Sequence, residues 1–176
     1  MFEMNNNVIT SCPILSIVKL DPSMYFDVWQ NSLDDNNRRF VPDEVFETLE
    51  ETKEVVDSLI ECYNSSDGPF IYPVIREEDH ANLGYVQLVK IEEGWEIGYH
   101  IAQKYNGKGY ATTAVRLFLD YLKEHTEIKE IYGICLADNL ASKRVLEKCG
   151  FSIYFIGQGD YQGQKRQIVK SLKKLR

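Results

Sequence analysis

The run Asn106, Gly107, Lys108, Gly109, Tyr110, Ala111 joins two glycines to the start of a helical pattern, and that combination can hold an anion. Beyond it, Ala111, Ala114, Val115, Phe118, Leu119 and Leu122 recur at the three-and-four spacing of a helix with one buried stripe. The first turn of a helix carries unpaired N–H donors and partial positive charge. Glycines at its entrance let a bulky phosphate come close to those donors, so a pyrophosphate is the expected ligand. Just upstream, Glu96 and His100 share parity on a strand pattern with Gly98 between them, so both side chains should face one side of a sheet.

Two familiar phosphate motifs do not fit the run. A P-loop needs Gly-Lys followed by Ser or Thr, whereas Lys108 is followed by Gly109. A dinucleotide fingerprint needs a third glycine where Thr112 stands, and a first glycine directly after the strand rather than several residues on. The run instead resembles the acetyl-CoA signature of the GNAT superfamily of N-acetyltransferases, (Q/R)xxGxG/A. Gly109 and Ala111 occupy its last two fixed positions, and Asn106 stands where Gln or Arg is usual. A second block over 138–151, DNLASKRVLEKCGF, resembles the family's later motif of Asn, a small residue, Ser, a helix and a closing Gly-Phe. With the strand between them, the two blocks cover residues 95–151.

The resemblance implies an α/β (α+β) chain with the GNAT acyl-CoA N-acyltransferase fold: a mixed, mostly antiparallel sheet of about seven strands, with helices on both faces. It implies an acetyl-CoA-dependent N-acetyltransferase that uses no metal. By the same resemblance, the cosubstrate contacts are Tyr99, Ile101, Asn106, Gly107, Lys108, Gly109, Tyr110, Ala111, Thr112, Asn139 and Ser142. Main-chain N–H groups near Tyr99 and Ile101 would face the thioester carbonyl and stabilise charge that grows in the transition state. The attacking amine must lose a proton, for which Glu96 and His100 are the candidate bases, with a water chain as their rival. Many family members protonate the leaving thiolate with a Tyr where this chain has Leu146. Ser142 matches a serine of the ribosomal-protein N-terminal acetyltransferase branch, and either bonds the sulfur or caps a helix.

The acceptor implied is a primary amine, first a peptide or protein N-terminus, with a polyamine or aminoglycoside as the alternative. Thr113, where this branch often has Glu, and Ile134, where another branch has Glu, leave the substrate open. Together with Leu146, Ile134 also admits a non-catalytic CoA-binding regulatory module. The oligomeric state is open as well, a homodimer included.

At 176 residues the chain suits a single domain over 1–176, and its 44% hydrophobic and 27% charged residues are those of a globular protein. A formal charge of −7 argues against a nucleic-acid partner and suits a cationic substrate. Cys12, Cys62, Cys135 and Cys149 show no CxxC spacing, and His80, His100 and His125 are scattered, so free thiols and no metal site are expected. A polar start over 1–7 and the lack of a long apolar run point to a cytoplasmic chain without a membrane partner.

Periodicity and turn chemistry set the elements that must position these groups. Strands are expected over 14–20, 70–76, 83–91, 95–101, 129–136, 151–156 and 166–172. Helices are expected over 22–33, 111–125 and 139–149, with one bent helix or two short ones over 42–63 and Thr52 as a cap. Residues 34–39 read as a polar turn, and 64–69 and 157–164 as loops. Short links make 70–101 an antiparallel meander, while the long helical connection makes 129–136 parallel to 95–101. In the family the helices of the amino-terminal third wall the acceptor site, so specificity is expected there.

Overall fold

A computed structural model describes residues 7–176, so most of the polar start lies outside the described residues. Among the described residues, eight strands form one sheet: β1 Val8–Ser11, β2 Leu15–Val18, β3 Phe70–Arg76, β4 Asn82–Ile91, β5 Gly94–Ile101, β6 Glu130–Leu136, β7 Ser152–Tyr161 and β8 Gln164–Lys174. Their order is β1-β2-β3-β4-β5-β6-β8-β7. Every pairing is antiparallel except that of β5 with β6, the pair joined through a helix. The helices are α1 Tyr25–Ser32, α2 Asp35–Phe40, α3 Leu49–Cys62, α4 Tyr110–His125 and α5 Leu140–Lys148. No helix among the described residues is long and apolar enough to cross a membrane.

Alternation along β4 and β5 divides the sheet into two chemically different faces. Val86 and Leu88 pair with Tyr99 and Ile97, and these side chains meet the stripe of α4, where Ala114, Val115 and Phe118 are fully buried. Tyr85, Gln87 and Val89 pair with His100, Gly98 and Glu96, and they face the opposite way, towards α1 and α3. One face is therefore core and the other carries titratable groups. Cys135 and Cys149 are buried free thiols within the α4 side.

Four expectations change against the structure. Residues 8–11 form an extra edge strand, too short for its alternation to show in the sequence. The polar turn expected over 34–39 is α2, because Asp34 accepts the Asn37 N–H at 2.7 Å as an N-cap. Asn37 then buries its amide against the carbonyls of Ser32 and Glu44, at 2.9 and 3.0 Å. The segment 42–63 is a 3-10 turn, Pro42–Glu44, an extended stretch and then α3, whose cap is Thr48 rather than Thr52. The loop expected over 157–164 is the tip of a β7–β8 hairpin that turns at Gln162 and Gly163, with φ of 47° and 75°.

Gly84 has φ +145°, and a Cβ there would lie 2.0 Å from the His100 carbonyl oxygen, so β4 and β5 approach closely only because this residue has no side chain. Gly84→Ala is expected to cost at least about 2 kcal/mol in urea unfolding, since both strain and strand separation oppose it. A loss below about 0.5 kcal/mol would show that the strands separate freely at this point.

Candidate active site

The central parallel pair is joined at a single register position, Glu96 with Tyr132. Past it, β6 pairs only with β8, as far as Leu136 with Ile168, while β5 stays on β4 as far as Ile101 with Gly84. The two strands part towards their carboxyl ends and leave a cavity of about 300 Å³ whose walls include Glu96, Gly98, Tyr99, Ile134, Asn139 and Ser142. The Ala102 N–H donates to Leu83 on β4 at 2.8 Å. By the period-two alternation of an antiparallel pair, the N–H groups of Ile101 and Tyr99 point the other way, into the gap.

Two helices begin at this same end of the sheet. At α4, Gly107 and Gly109 both take φ +79°, and a Cβ on either would meet nothing within 4 Å. Gly109 is the N-cap of α4 and offers no side-chain acceptor. Among the described residues, the N–H groups of Gly107, Lys108, Gly109, Tyr110, Ala111 and Thr112 donate to no protein acceptor; the first to do so is Thr113, to Gly109 at 3.1 Å. A run of free amides over an open surface suits an anion. Arg76, which the sequence did not single out, props the run from below. It pairs with Asp79 at 2.7 Å, lies 5.3 Å from the Tyr105 ring centroid and reaches the Tyr110 hydroxyl at 3.4 Å.

At α5, Asn139 accepts the Ser142 N–H at 3.1 Å as an N-cap. The Tyr99 hydroxyl crosses from β5 to meet Ser142, 2.8 Å from its Oγ and 3.0 Å from its carbonyl oxygen. Burial pushes the Tyr99 hydroxyl well above its ordinary range, against the opposing hydrogen bond from Ser142. The sequence had given Tyr99 only a main-chain role. Its side chain turns out to share the gap with Ser142.

The acid–base candidates fall into two neighbouring spaces. Glu96 lies in the gap, its carboxyl pushed up to about 7 by burial first and by the negative charge of Glu44 second. His100 instead lines a second cavity, of about 260 Å³, between the sheet and helices α1 and α3. There its Nε2 lies 3.1 Å from Asp34 Oδ2, which also accepts the Gln103 N–H at 2.8 Å. Burial opposes ionisation of Asp34, but the hydrogen bonds from His100, Asn37 and Gln103 outweigh it and lower its pKa. Shared parity is real, yet the two residues serve different cavities.

Glu44, which no sequence pattern marked, lines both spaces. One carboxylate oxygen accepts from Gln87 Nε2 at 3.2 Å, and the other is buried without a partner. Burial raises its pKa. A roof closes over this junction, because Tyr161 at the hairpin tip donates to the Phe40 carbonyl at 2.7 Å and Gln162 accepts the Asp43 N–H at 3.1 Å. Among the described residues, no group of three or more His, Cys, Asp or Glu side chains could hold a metal.

Known proteins share this arrangement of chain. The model of the acetyltransferase (GNAT) domain matches residues 17–152. An uncharacterized N-acetyltransferase of Bacillus subtilis, YnaD, is 30% identical over 125 residues, covering 70% of each chain. A spermidine N(1)-acetyltransferase of Vibrio cholerae is 30% identical over 139 residues, 72% of this chain and 80% of that protein. Among solved structures, the ribosomal L7/L12 alpha-N-protein acetyltransferase RimL, in complex with coenzyme A, superposes with a TM-score of 0.81 at 18% identity, over 95% of this chain and 97% of that one. That likeness bears on the fold, and the domain match and the two sequence relatives carry the rest: the chain belongs to the GNAT family of N-acetyltransferases.

Proposed function

We propose that this chain transfers the acetyl group of acetyl-CoA to a primary amine, with a peptide or protein N-terminus as the first acceptor class and a small amine as the second. The observation that carries the reading is the coincidence, at one end of the sheet, of free main-chain amides over 107–112 with the gap between β5 and β6. A pyrophosphate suits the amides, and the extended arm of the carrier suits a gap whose strands have unpaired edges. Glu96 favours an enzyme over a carrier-binding module, because a carboxyl with a pKa of about 7 inside the gap is matched to proton transfer at neutral pH.

When bound, acetyl-CoA supplies the acyl group as an activated thioester. The N–H groups of Tyr99 and Ile101 face the gap and receive the charge that builds on the carbonyl oxygen. Glu96, about half ionised near pH 7, takes the proton that an ammonium must lose before its nitrogen can attack. On the other side of the gap, the Tyr99 hydroxyl turns its one proton from the Ser142 carbonyl to the departing sulfur while Ser142 Oγ donates to its oxygen, and so takes the role left open by Leu146. The second proton shed by the acceptor nitrogen restores the hydroxyl. His100, held by Asp34, shapes the acceptor side and does not exchange the proton.

Gly109→Asp is expected to weaken acetyl-CoA binding at least a hundredfold by calorimetry, because it sets a carboxylate against phosphate. Gly109→Asn has the same shape and tolerates the left-handed backbone, so it should lose far less; equal losses would remove the phosphate from the run. For the base, the sign is fixed by the acidic form being inactive: kcat/KM should climb as pH rises through about 7. Glu96→Gln should lower kcat/KM at pH 8 by about 100-fold and abolish that limb. An unchanged profile would assign the proton to another group.

A further inference from the structure

We infer that the acceptor carries an apolar group beside its amino group, and that this group fills the cavity between the sheet and helices α1 and α3 while Glu44 receives the ammonium. The inference rests on the reading above, that the chain acetylates a primary amine, and it specifies which amines.

Glu44, Tyr85 and Gln87 line both cavities, so the acceptor space and the β5–β6 gap share a wall. A ligand whose nitrogen sits at that wall can present it to the gap and send its remaining atoms the other way. Glu44 has a reason to take the nitrogen. One of its oxygens is buried with no hydrogen-bond partner, an arrangement that is costly until a donor reaches it. An ammonium offers three N–H donors and the opposite charge. Its proton can then pass to Glu96, the neighbouring carboxyl whose ionisation Glu44 disfavours. The two acids have separate tasks, one holding the amine and the other deprotonating it.

The rest of the acceptor meets different chemistry. Val28, Phe46, Val55, Leu59, Ile71 and Pro73 wall the cavity, and none can pair a charge. Its volume of about 260 Å³ exceeds the roughly 150 Å³ of an apolar cavity that admits benzene, so an aromatic ring or a branched aliphatic chain fits. Asp43, the other carboxylate on its lining, is next to Glu44 in sequence and so lies at the same end. A second ammonium further along the acceptor, as in a polyamine, would meet those apolar side chains and the polar Asn31, Ser32, Asn82 and His100, with no further carboxylate among the described residues of the lining to pair it. Asn82 Nδ2, also on the lining and without a partner, leaves its two N–H donors for an oxygen on the acceptor. An apolar monoamine and a peptide whose first residue is apolar share this chemistry.

The test compares four acceptors by thiol release from acetyl-CoA: 2-phenylethylamine, a peptide beginning with Phe, a peptide beginning with Ser, and spermidine. Either apolar acceptor should exceed both spermidine and the Ser peptide at least tenfold in kcat/KM. The better of the two apolar acceptors identifies the source, free amine or chain terminus. Spermidine or the Ser peptide equalling them would overturn the inference while leaving amine acetylation intact. Val55→Phe, which fills the cavity, should lower kcat/KM for the apolar acceptors at least tenfold, and Val55→Asp should raise it for spermidine; CoA binding by both variants verifies folding. No effect of either change would also overturn it. Should no acceptor release thiol, the transferase reading fails by itself. Equilibrium binding to the CoA-loaded protein then decides the inference, with 2-phenylethylamine expected to bind at least tenfold tighter than spermidine and weaker binding contradicting it.

Discussion

A parallel pair of strands at the centre of an otherwise antiparallel sheet holds at Glu96 and Tyr132 and then comes apart, and the rest of the molecule is built around that separation. Strand edges buried without partners are unfavourable, so a gap of this kind persists only where something else satisfies the exposed N–H and carbonyl groups. Each strand keeps its outer partner, β4 for β5 and β8 for β6, which anchors the walls while the space between them stays open. The helix that links the pair starts at the open end, and so does α5. The sheet topology therefore delivers two helix N-termini and a row of strand amides to one place.

Electrostatics divide the site along the same line. On the side of α4 and α5 the open groups are donors, the free amides over 107–112, beside the Tyr99 hydroxyl against Ser142. On the side of α1 and α3 they are carboxylates, Glu44 and Glu96, each hindered from ionising by burial and, for Glu96, by its neighbour. In the proposed function, an anionic carrier and a cationic acceptor would thus meet surfaces of opposite character with one strand, β5, between them. Alternation along β5 does this cheaply, because its odd residues face the core and its even residues face the acids.

How much of this was readable from the residues depended on whether the signal was local. The α4 stripe, the glycine turn before it and the start of α5 at Asn139 are local patterns of spacing and turn chemistry, and the structure has them within a residue of where they were expected. Its parallel strand pair also followed from chain order, since a helical crossover leaves little choice. Asp34 to Arg39 misled because six polar residues read as a turn, when Asp34 caps a helix whose buried Asn37 satisfies two distant carbonyls. The glycines of 157–164 suggested a loop, while pairing to β8 keeps them extended. Glu44 was invisible for a deeper reason: a glutamate after Pro42 resembles any solvated charge until the fold carries it to Gln87 and Glu96. Tyr99 likewise acquired a side-chain role only when Ser142 was brought across the gap.

A crystal structure of the protein with coenzyme A bears on this account most directly. The account predicts the pyrophosphate within hydrogen-bonding distance of main-chain N–H groups among residues 107–112, and the thiol in the gap between β5 and β6, next to Tyr99 and Ser142. Coenzyme A bound with those amides untouched, or with its thiol outside the parted strands, would contradict it.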